Sequence, residues 1–162
     1  MKKQAIRQSL TNIIIDQKES YYRLAFSYMK NEQDALDVVQ ESIQKALLSV
    51  DRIKDPEALK SWFYKIIVRT SLDLLRKRKK VVLSEDKELE ASHSGNIDHY
   101  ADLDLKQAIA ELPHKYRAII ILRYFEDFKM EEIADVLNEN LNTIKTRLYK
   151  AHKMLRLKME DA

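Results

Sequence analysis

The sequence has no cysteine, one glycine and two prolines in 162 residues. The lack of cysteine excludes disulfide bonds and cysteine-ligated metal sites. The four histidines are not paired as a zinc site requires, so we expect no metal and no other cofactor; they are His93, His99, His114 and His152. The scarcity of residues that turn the backbone, with abundant Leu, Ile, Lys, Glu and Ala, favours helices. The composition therefore predicts an all-α protein.

Long apolar runs are missing as well. The opening MKKQAIRQSLTNIII contains only a broken apolar stretch, and no later segment approaches the ~20 apolar residues of a membrane span. We therefore expect the chain to stay in the cytoplasm. The sequence has no recognisable nucleophile and base set or glycine-rich phosphate loop, so we expect neither an enzyme nor a small-molecule substrate.

Charge is abundant but nearly balanced, with 29 basic and 26 acidic residues and a net charge of +3. Any basic surface must therefore be local and offset by acidic surface elsewhere. Residues 82–100, VLSEDKELEASHSGNIDHY, interrupt the helical periodicity with an acidic cluster and the one glycine. We predict two small helical domains, 1–81 and 104–162, joined by a flexible linker at 82–103.

The C-terminal part has the pattern of a helix-turn-helix motif at about 130–150. The short helix MEEIADVL is followed by a tight turn, in which Asn138 tolerates a left-handed conformation and Asn140 suits a helix N-cap. On the last helix one narrow face is apolar: Leu141, Ile144, Leu148, Ala151, Leu155 and Met159. The spacing predicts a second helix that enters a DNA major groove.

The other face of this last helix is cationic. A solvated surface alone would explain such a face, but the helix that precedes it favours contact with bases and phosphates. The candidate DNA-binding residues are Asn142, Thr143, Lys145, Thr146, Arg147, Tyr149, Lys150 and Lys153.

A predicted helix from Glu32 to Val50 separates acids from apolar residues. One arc carries Leu36, Val39, Ile43, Ala46, Leu47 and Val50, and the far side carries Asp34, Asp37, Glu41 and Gln44. The acids form either a solvated face or a surface that binds a basic region of another protein.

A third predicted helix, from about Lys60 to Lys80, has the opposite charge, with eight cations and one anion. Its SWFYK segment sets Trp62, Phe63 and Tyr64 beside basic residues, a mixture that binds nucleic acid by stacking and phosphate attraction. Packing in a core is the other interpretation, and we favour it for Trp62 and Phe63. The terminal RKRKK favours phosphate contact.

These blocks together resemble the extracytoplasmic-function (ECF) sigma factors, which carry only the sigma2 and sigma4 domains, and are most similar to the sigma-V type of Bacillus-like bacteria. YRLAFSYMKNEQDALDVVQESIQKAL is similar to the D-A-x-D-x-x-Q-E/D core-binding pattern, and SWFYKIIVRTSLDLLRKRKK to W-L-[YF]-x-I-x-x-N-x-x-x-D-x-x-R. ELPHKYRAIIILRYFEDFKMEEIADVL with NTIKTRLYKA is similar to L-P-x-x-x-R, E-E-I-A-x-x-L and T-V-K-S-R-L-x-R-A. The resemblance covers nearly the whole chain and implies a sigma2 bundle and a sigma4 helix-turn-helix bundle.

The resemblance also implies partners: core RNA polymerase through its beta-prime clamp helices and beta flap, promoter DNA, and a membrane-anchored anti-sigma factor in an envelope or extracellular stress response. It assigns polymerase binding to Asp34, Asp37, Gln40 and Glu41. It assigns reading and opening of the -10 element to Lys60, Trp62, Tyr64, Lys65, Arg69, Arg76, Lys77 and Arg78. The basic face of the last helix would read the -35 element.

Several departures from the family pattern bear on DNA specificity; one is that DRIKDPEALK, before the third predicted helix, lacks the Gly and aromatic residues often seen in that loop. Arg69 stands where Asn is common, Asn138 replaces a Gly in the turn, and Lys150 replaces an Arg, which exchanges a bidentate contact for a point charge.

Two other functions fit parts of the pattern: a helix-turn-helix regulator that does not join polymerase, and a helical adaptor that does not bind DNA. The regulator leaves the acidic row on the second helix without a role.

Overall fold

The structure is a computed structural model that describes residues 2–85 and 101–161. These ranges are helical and contain no strand, which confirms the all-α class. The helices are α1 (Lys2–Asp16), α2 (Lys18–Met29), α3 (Glu32–Ser49), α4 (Leu59–Glu85), α5 (Ala101–Glu111), α6 (His114–Ile120), α7 (Met130–Leu137) and α8 (Leu141–Asp161). Two 3-10 turns, Val50–Arg52 and Pro56–Ala58, lie between α3 and α4, and a π-helical segment, Ile121–Phe125, continues α6.

Helix α1 was not expected from the broken apolar run at the start of the chain. Ile6 and Leu10, four residues apart, are both buried and anchor this helix on the N-terminal bundle. Arg7 adds an exposed ion pair with Asp51 at 3.7 Å. The packing of a narrow apolar stripe is therefore enough to order a helix of low overall hydrophobicity.

Helices α2, α3 and α4 form the N-terminal bundle. Lys30 ends α2 in a left-handed conformation (φ 58°), and its N–H donates to the Phe26 carbonyl at 2.7 Å. Asn31 then caps α3, because its side-chain oxygen accepts the Asp34 N–H at 2.9 Å. A left-handed residue followed by an N-cap gives a tight reversal without glycine.

Helix α4 is longer than predicted, since it continues to Glu85 beyond the expected domain boundary at residue 81. Helix α5 begins at Ala101, three residues before the predicted second domain. The remainder of the predicted linker, residues 86–100, lies outside the described residues, so its flexibility stays a prediction.

The two halves of the chain share one core. Tyr21 packs edge-on against Phe63 and Tyr64, and Tyr64 packs against Phe128 from the C-terminal half at a ring-centroid separation of 4.9 Å. Ile133 and Ile144 belong to the same buried cluster. The C-terminal half is therefore docked on α2 and α4. None of the described helices combines the length and apolar character needed to cross a membrane.

Candidate promoter and polymerase interfaces

The helix-turn-helix motif has the predicted local geometry. Asn138 ends α7 in a left-handed conformation (φ 58°, ψ 45°), and the side-chain oxygen of Asn140 accepts the Thr143 N–H at 2.8 Å to cap α8. At the other end of α7, the Glu132 carboxylate accepts the Lys129 N–H at 2.8 Å. The turn and the cap predicted from the two asparagines are confirmed.

The cationic side of α8 faces solvent along its length. Ile144 and Ala151 are buried, while Tyr149 is 70% exposed. The other exposed candidates on this side are Asn142, Lys145, Thr146, Lys150 and Lys153. This leaves a row of donors and an aromatic ring available to a DNA groove.

Two further candidates are held by neighbouring groups. Arg147 is half-buried and forms an ion pair with Glu139 at 3.4 Å, and Thr143 is half-buried beside its capping residue. Lys115 and Tyr116 of α6 line a polar recess of about 410 Å³ together with Thr146 and Lys150. Sequence reasoning missed Lys115 and Tyr116; the signal was a basic and an aromatic residue in the first turn of the helix before the motif.

The acids of α3 differ in exposure: Glu41 pairs with Lys45 of the same helix at 3.1 Å but stays at the surface, and Asp37 accepts a hydrogen bond from Gln33. Asp37, Gln40 and Glu41 are exposed. Asp34 is buried, and its carboxylate forms an ion pair with Arg78 at 2.5 Å. This pair ties α3 to α4, so the described arrangement presents a shorter acidic row than the sequence indicates.

One side of α4 is covered by the C-terminal half. The Lys60 ammonium lies 5.1 Å from the centre of the Phe128 ring, and the Lys65 ammonium pairs with Asp135 of α7 at 2.9 Å. Tyr64 is fully buried. Three predicted -10 residues thus contact protein here: Lys60 remains exposed, whereas Tyr64 is out of reach of DNA while the two halves are docked.

The other side of α4 is open. Trp62 and Arg69 line a pocket of about 400 Å³, to which Lys45 and Arg52 contribute further cations. The Lys45 ammonium donates to the Thr70 hydroxyl at 3.0 Å. An aromatic ring among cations suits an unstacked base and its phosphates. Sequence reasoning missed Lys45 and Arg52, because their approach to α4 depends on how α3 packs.

The predicted cations at the C-terminal end of α4 lie on the surface. Arg76, Lys77 and Arg78 are exposed. Arg76 pairs with Asp73 at 3.1 Å, while Arg78 is held by Asp34 as described above. Phe63 is fully buried, which confirms its predicted place in the core.

Two oppositely charged side chains of the C-terminal half are buried against the N-terminal half. The Glu126 carboxylate accepts hydrogen bonds from the Tyr64 hydroxyl at 2.6 Å and the Arg23 guanidinium at 2.8 Å. Burial raises the pKa of Tyr64, and the bond to Glu126 raises it further, so the phenol remains a donor. Burial lowers the pKa of Arg117 to about 10, which leaves it cationic at neutral pH.

An apolar groove of about 480 Å³ runs between α2 and the C-terminal half. Its walls carry Phe26, Ile109, Ile121 and Phe125, and its cations are Arg23, Lys30, Lys106 and Arg117, with no carboxylate among the lining side chains. A second depression continues it past Phe26 to Tyr22 and Leu36. Leu36, which the sequence placed in the apolar arc of the core, is 46% exposed here.

Comparisons with known proteins agree with these features. The chain matches the family model of sigma-70 region 2 over residues 15–81 and that of sigma-70, region 4 over residues 102–155. It is 55% identical to the RNA polymerase sigma factor SigV of Bacillus subtilis over 98% of this chain and 95% of that protein. It is 26% identical to the ECF RNA polymerase sigma factor SigW of the same organism over 98% and 93% of the two chains.

Solved structures share the fold. The sigma factor RpoE of Bartonella quintana, in complex with the anti-sigma factor NepR, superposes with a TM-score of 0.77 at 24% identity over 93% of this chain and 96% of that one. CnrH, in complex with the cytosolic domain of CnrY, superposes with a TM-score of 0.69 at 18% identity over 99% of both chains. The two sigma-70 regions occur in order along the chain, and a sigma factor is 55% identical to it over nearly the full length. The chain therefore belongs to the ECF group of the sigma-70 family of RNA polymerase sigma factors.

Proposed function

We propose that this chain binds core RNA polymerase in the cytoplasm and directs initiation at promoters whose -35 element is read by α8 and whose -10 element is read and opened by α4. The proposal rests on the exposed cationic face of α8, which is the second helix of a well-capped helix-turn-helix. The pocket at Trp62, with its aromatic ring and cations, supports it further. Within the holoenzyme the chemistry of RNA synthesis belongs to polymerase.

Exposure in the structure selects among the residues that the resemblance assigns to polymerase binding and to the -10 element. Asp37, Gln40 and Glu41 form the polymerase-binding surface on α3, with Asp34 in a supporting role through Arg78. Trp62 and Arg69 receive an unstacked base of the -10 element, because they line an open pocket. Unstacking costs a few kcal/mol, which stacking and phosphate contacts offset.

An inhibitory partner completes the proposal. One solved structure of this fold is a complex with an anti-sigma factor, and another is a complex with the cytosolic domain of CnrY. The groove between α2 and the C-terminal half has apolar walls and several cations, so it fits an amphipathic helix that carries carboxylates beside its apolar face. We propose a membrane-anchored anti-sigma factor of this kind, which releases the chain during an envelope or extracellular stress.

Run-off transcription with purified core polymerase tests the function. The wild-type chain should direct initiation at a defined set of genomic start sites. The double variant Asp37→Lys with Glu41→Lys should fail to form holoenzyme, because it reverses the charge of the exposed acids on α3. Asp16→Lys with Glu19→Lys makes the same charge change on exposed residues near the junction of α1 and α2, and it should transcribe normally.

A plain operator-binding regulator is not favoured. Such a protein would keep its DNA affinity and show no association with core polymerase, whether or not the α3 acids were reversed. Promoter-dependent transcripts that require the wild-type α3 face would separate the sigma factor from this alternative.

A further inference from the structure

The polar recess beside the helix-turn-helix has the side chains of an anion site. It measures about 410 Å³ and lies where α6 begins, against the flank of α8. None of its lining side chains is a carboxylate, and they include three cations and three hydroxyl groups: Lys115, Arg147, Lys150, Tyr116, Thr143 and Thr146. A concave site with this set of donors fits a phosphate group.

Buried apolar contacts hold the two walls of the recess together. Leu112, Ile120 of α6 and Ala151 of α8 form one buried cluster, against which the Tyr116 ring packs. The Lys115 ammonium lies 5.4 Å from the centre of that ring. Since α6 and α8 share this small core, α6 holds Lys115 and Tyr116 at a fixed place beside the second helix of the motif.

The positive charge of the recess is only partly neutralised. Glu139 pairs with Arg147 at 3.4 Å, whereas Lys115 and Lys150 are exposed. Partial burial lowers the pKa of the neighbouring His114, and nearby cations that include Lys115 and Arg147 lower it further. The cations therefore create a positive potential here, which favours a bound anion.

The recess and the base-reading side of α8 point in different directions. At about 100° per residue, Lys145 lies about 160° around the helix from Arg147. Lys145, Tyr149 and Lys153 are exposed and do not line the recess. A helix in a major groove about 12 Å wide has a phosphate backbone on each side of it. The flank that carries the recess therefore faces one backbone when the exposed side of α8 enters the groove.

We propose that this recess binds one backbone phosphate beside the -35 element, with Lys115 and Tyr116 of α6 as contacts from outside the helix-turn-helix. Arg147 and Lys150 then bind the same phosphate and do not read bases. This inference rests on the proposed function for the DNA element that it names. The bound phosphate fixes the register of α8 in the groove, so Lys115 contributes affinity without sequence preference.

The salt dependence of DNA binding tests the contact from Lys115. Each phosphate contact adds about 0.9 to the slope of log affinity against log salt, so Lys115→Ala should reduce the slope by about this amount. Its affinity should fall about fivefold to tenfold at 0.1 M salt. The full chain is titrated with a fluorescent duplex of arbitrary sequence. Tyr116→Phe removes a neutral donor, so it should weaken binding without changing the slope.

Lys3→Ala is the matched control, because it removes the same charge from an exposed position on α1. It should leave the slope and the affinity unchanged. Helical content and thermal midpoint by circular dichroism should be the same in all the chains. An unchanged slope in Lys115→Ala, or an equal decrease in Lys3→Ala, would overturn the inference.

Neutral methylphosphonates at single positions of a promoter locate the contact. In holoenzyme, one such substitution beside the -35 element should weaken binding of the wild type and of Lys3→Ala, but should cause no further loss in Lys115→Ala. Further losses in Lys115→Ala equal to those of the wild type at every position would contradict a phosphate contact from this residue.

Titration with inorganic phosphate at constant ionic strength distinguishes a free ligand from DNA. Calorimetric binding of phosphate to the wild type and not to Lys115→Ala, with equal salt slopes on DNA, would show a site for free phosphate and overturn the DNA assignment. Failure of the proposed function looks different. Run-off transcription would then give no start sites, while the salt slope on arbitrary DNA would still decide whether Lys115 contacts a phosphate.

Discussion

Helices α4 and α8 are both cationic and both assigned to promoter DNA, yet they meet their surroundings differently. Most of the residues assigned to DNA on α8 are solvent-exposed, and only Thr143 and Arg147 are half-buried, whereas α4 has one side open at Trp62 and the other side buried around Tyr64. Docking therefore restricts the -10 helix and spares the -35 helix. We therefore expect domain separation to affect promoter opening more than initial recognition of the -35 element.

The largest effect should come from preventing separation. Lys30→Cys and Lys106→Cys place two thiols in the interdomain groove, one from each half of the chain, and a bis-maleimide is used to join them. The cross-linked chain should lose run-off transcription down to the level of core polymerase alone, because -10 and -35 reading can no longer coincide.

Each single-cysteine chain treated with the same reagent is the control for this experiment. Both controls should transcribe, since their modified side chains lie outside the residues assigned to DNA or to polymerase. Full activity in the cross-linked chain would contradict the need for separation.

A smaller loss should follow Trp62→Ala on the open side of α4. Stacking of a base on an aromatic side chain is worth about 1–3 kcal/mol, so promoter opening should weaken about tenfold or more. Fluorescence of a base analogue in the -10 element measures opening, and binding of a duplex with only the -35 element should not change. An equal decrease in both assays would argue for a folding defect instead of a specific effect on base stacking.

Lys145→Ala should weaken recognition of the -35 element by α8. Removing a hydrogen bond to a base edge in the major groove costs about 1–3 kcal/mol of discrimination, so the preference of holoenzyme for the correct -35 sequence should fall. Lys129→Ala, an exposed cation just before α7, should leave that preference intact. Competition binding with point-mutated -35 elements measures the difference, and identical behaviour of the two variants would count against a specific role for Lys145.

The smallest effect concerns the turn that orients α8. Asn138 has φ 58°, so Asn138→Ala should destabilise the fold by about 1 kcal/mol, while Asn138→Gly should be near neutral. Thermal unfolding followed by circular dichroism compares the two variants. Equal destabilisation by Ala and Gly would show that the asparagine side chain, and not the backbone conformation, matters here.

Features set by neighbouring residues in the sequence could be predicted, whereas features set by packing between helices could not. The motif around α8 was predictable because its signals are local: a left-handed asparagine, an N-cap and a period of 3.6 residues. The burial of Tyr64 and the pairing of Asp34 with Arg78 were not, because they depend on which helices pack side by side. Residue types alone did not distinguish a Tyr that stacks on DNA from a Tyr that donates to Glu126.

Helix α1 and the groove illustrate the same limit. Ile6 and Leu10 make too narrow an apolar stripe to stand out in the sequence, although both are buried once the bundle forms. Leu36 falls on the apolar arc of α3 by periodicity, but no neighbouring helix covers it fully and it extends the groove instead. Periodicity predicts which face is apolar, and tertiary packing decides how much of that face is covered.

The most direct test of the account compares the distance between labels at Asn12→Cys and Glu160→Cys in the free chain and in holoenzyme bound to a promoter with both elements. We expect a short, well-defined distance in the free chain and a much longer one on the promoter. The same short distance in both states, in a complex that initiates transcription, would contradict it.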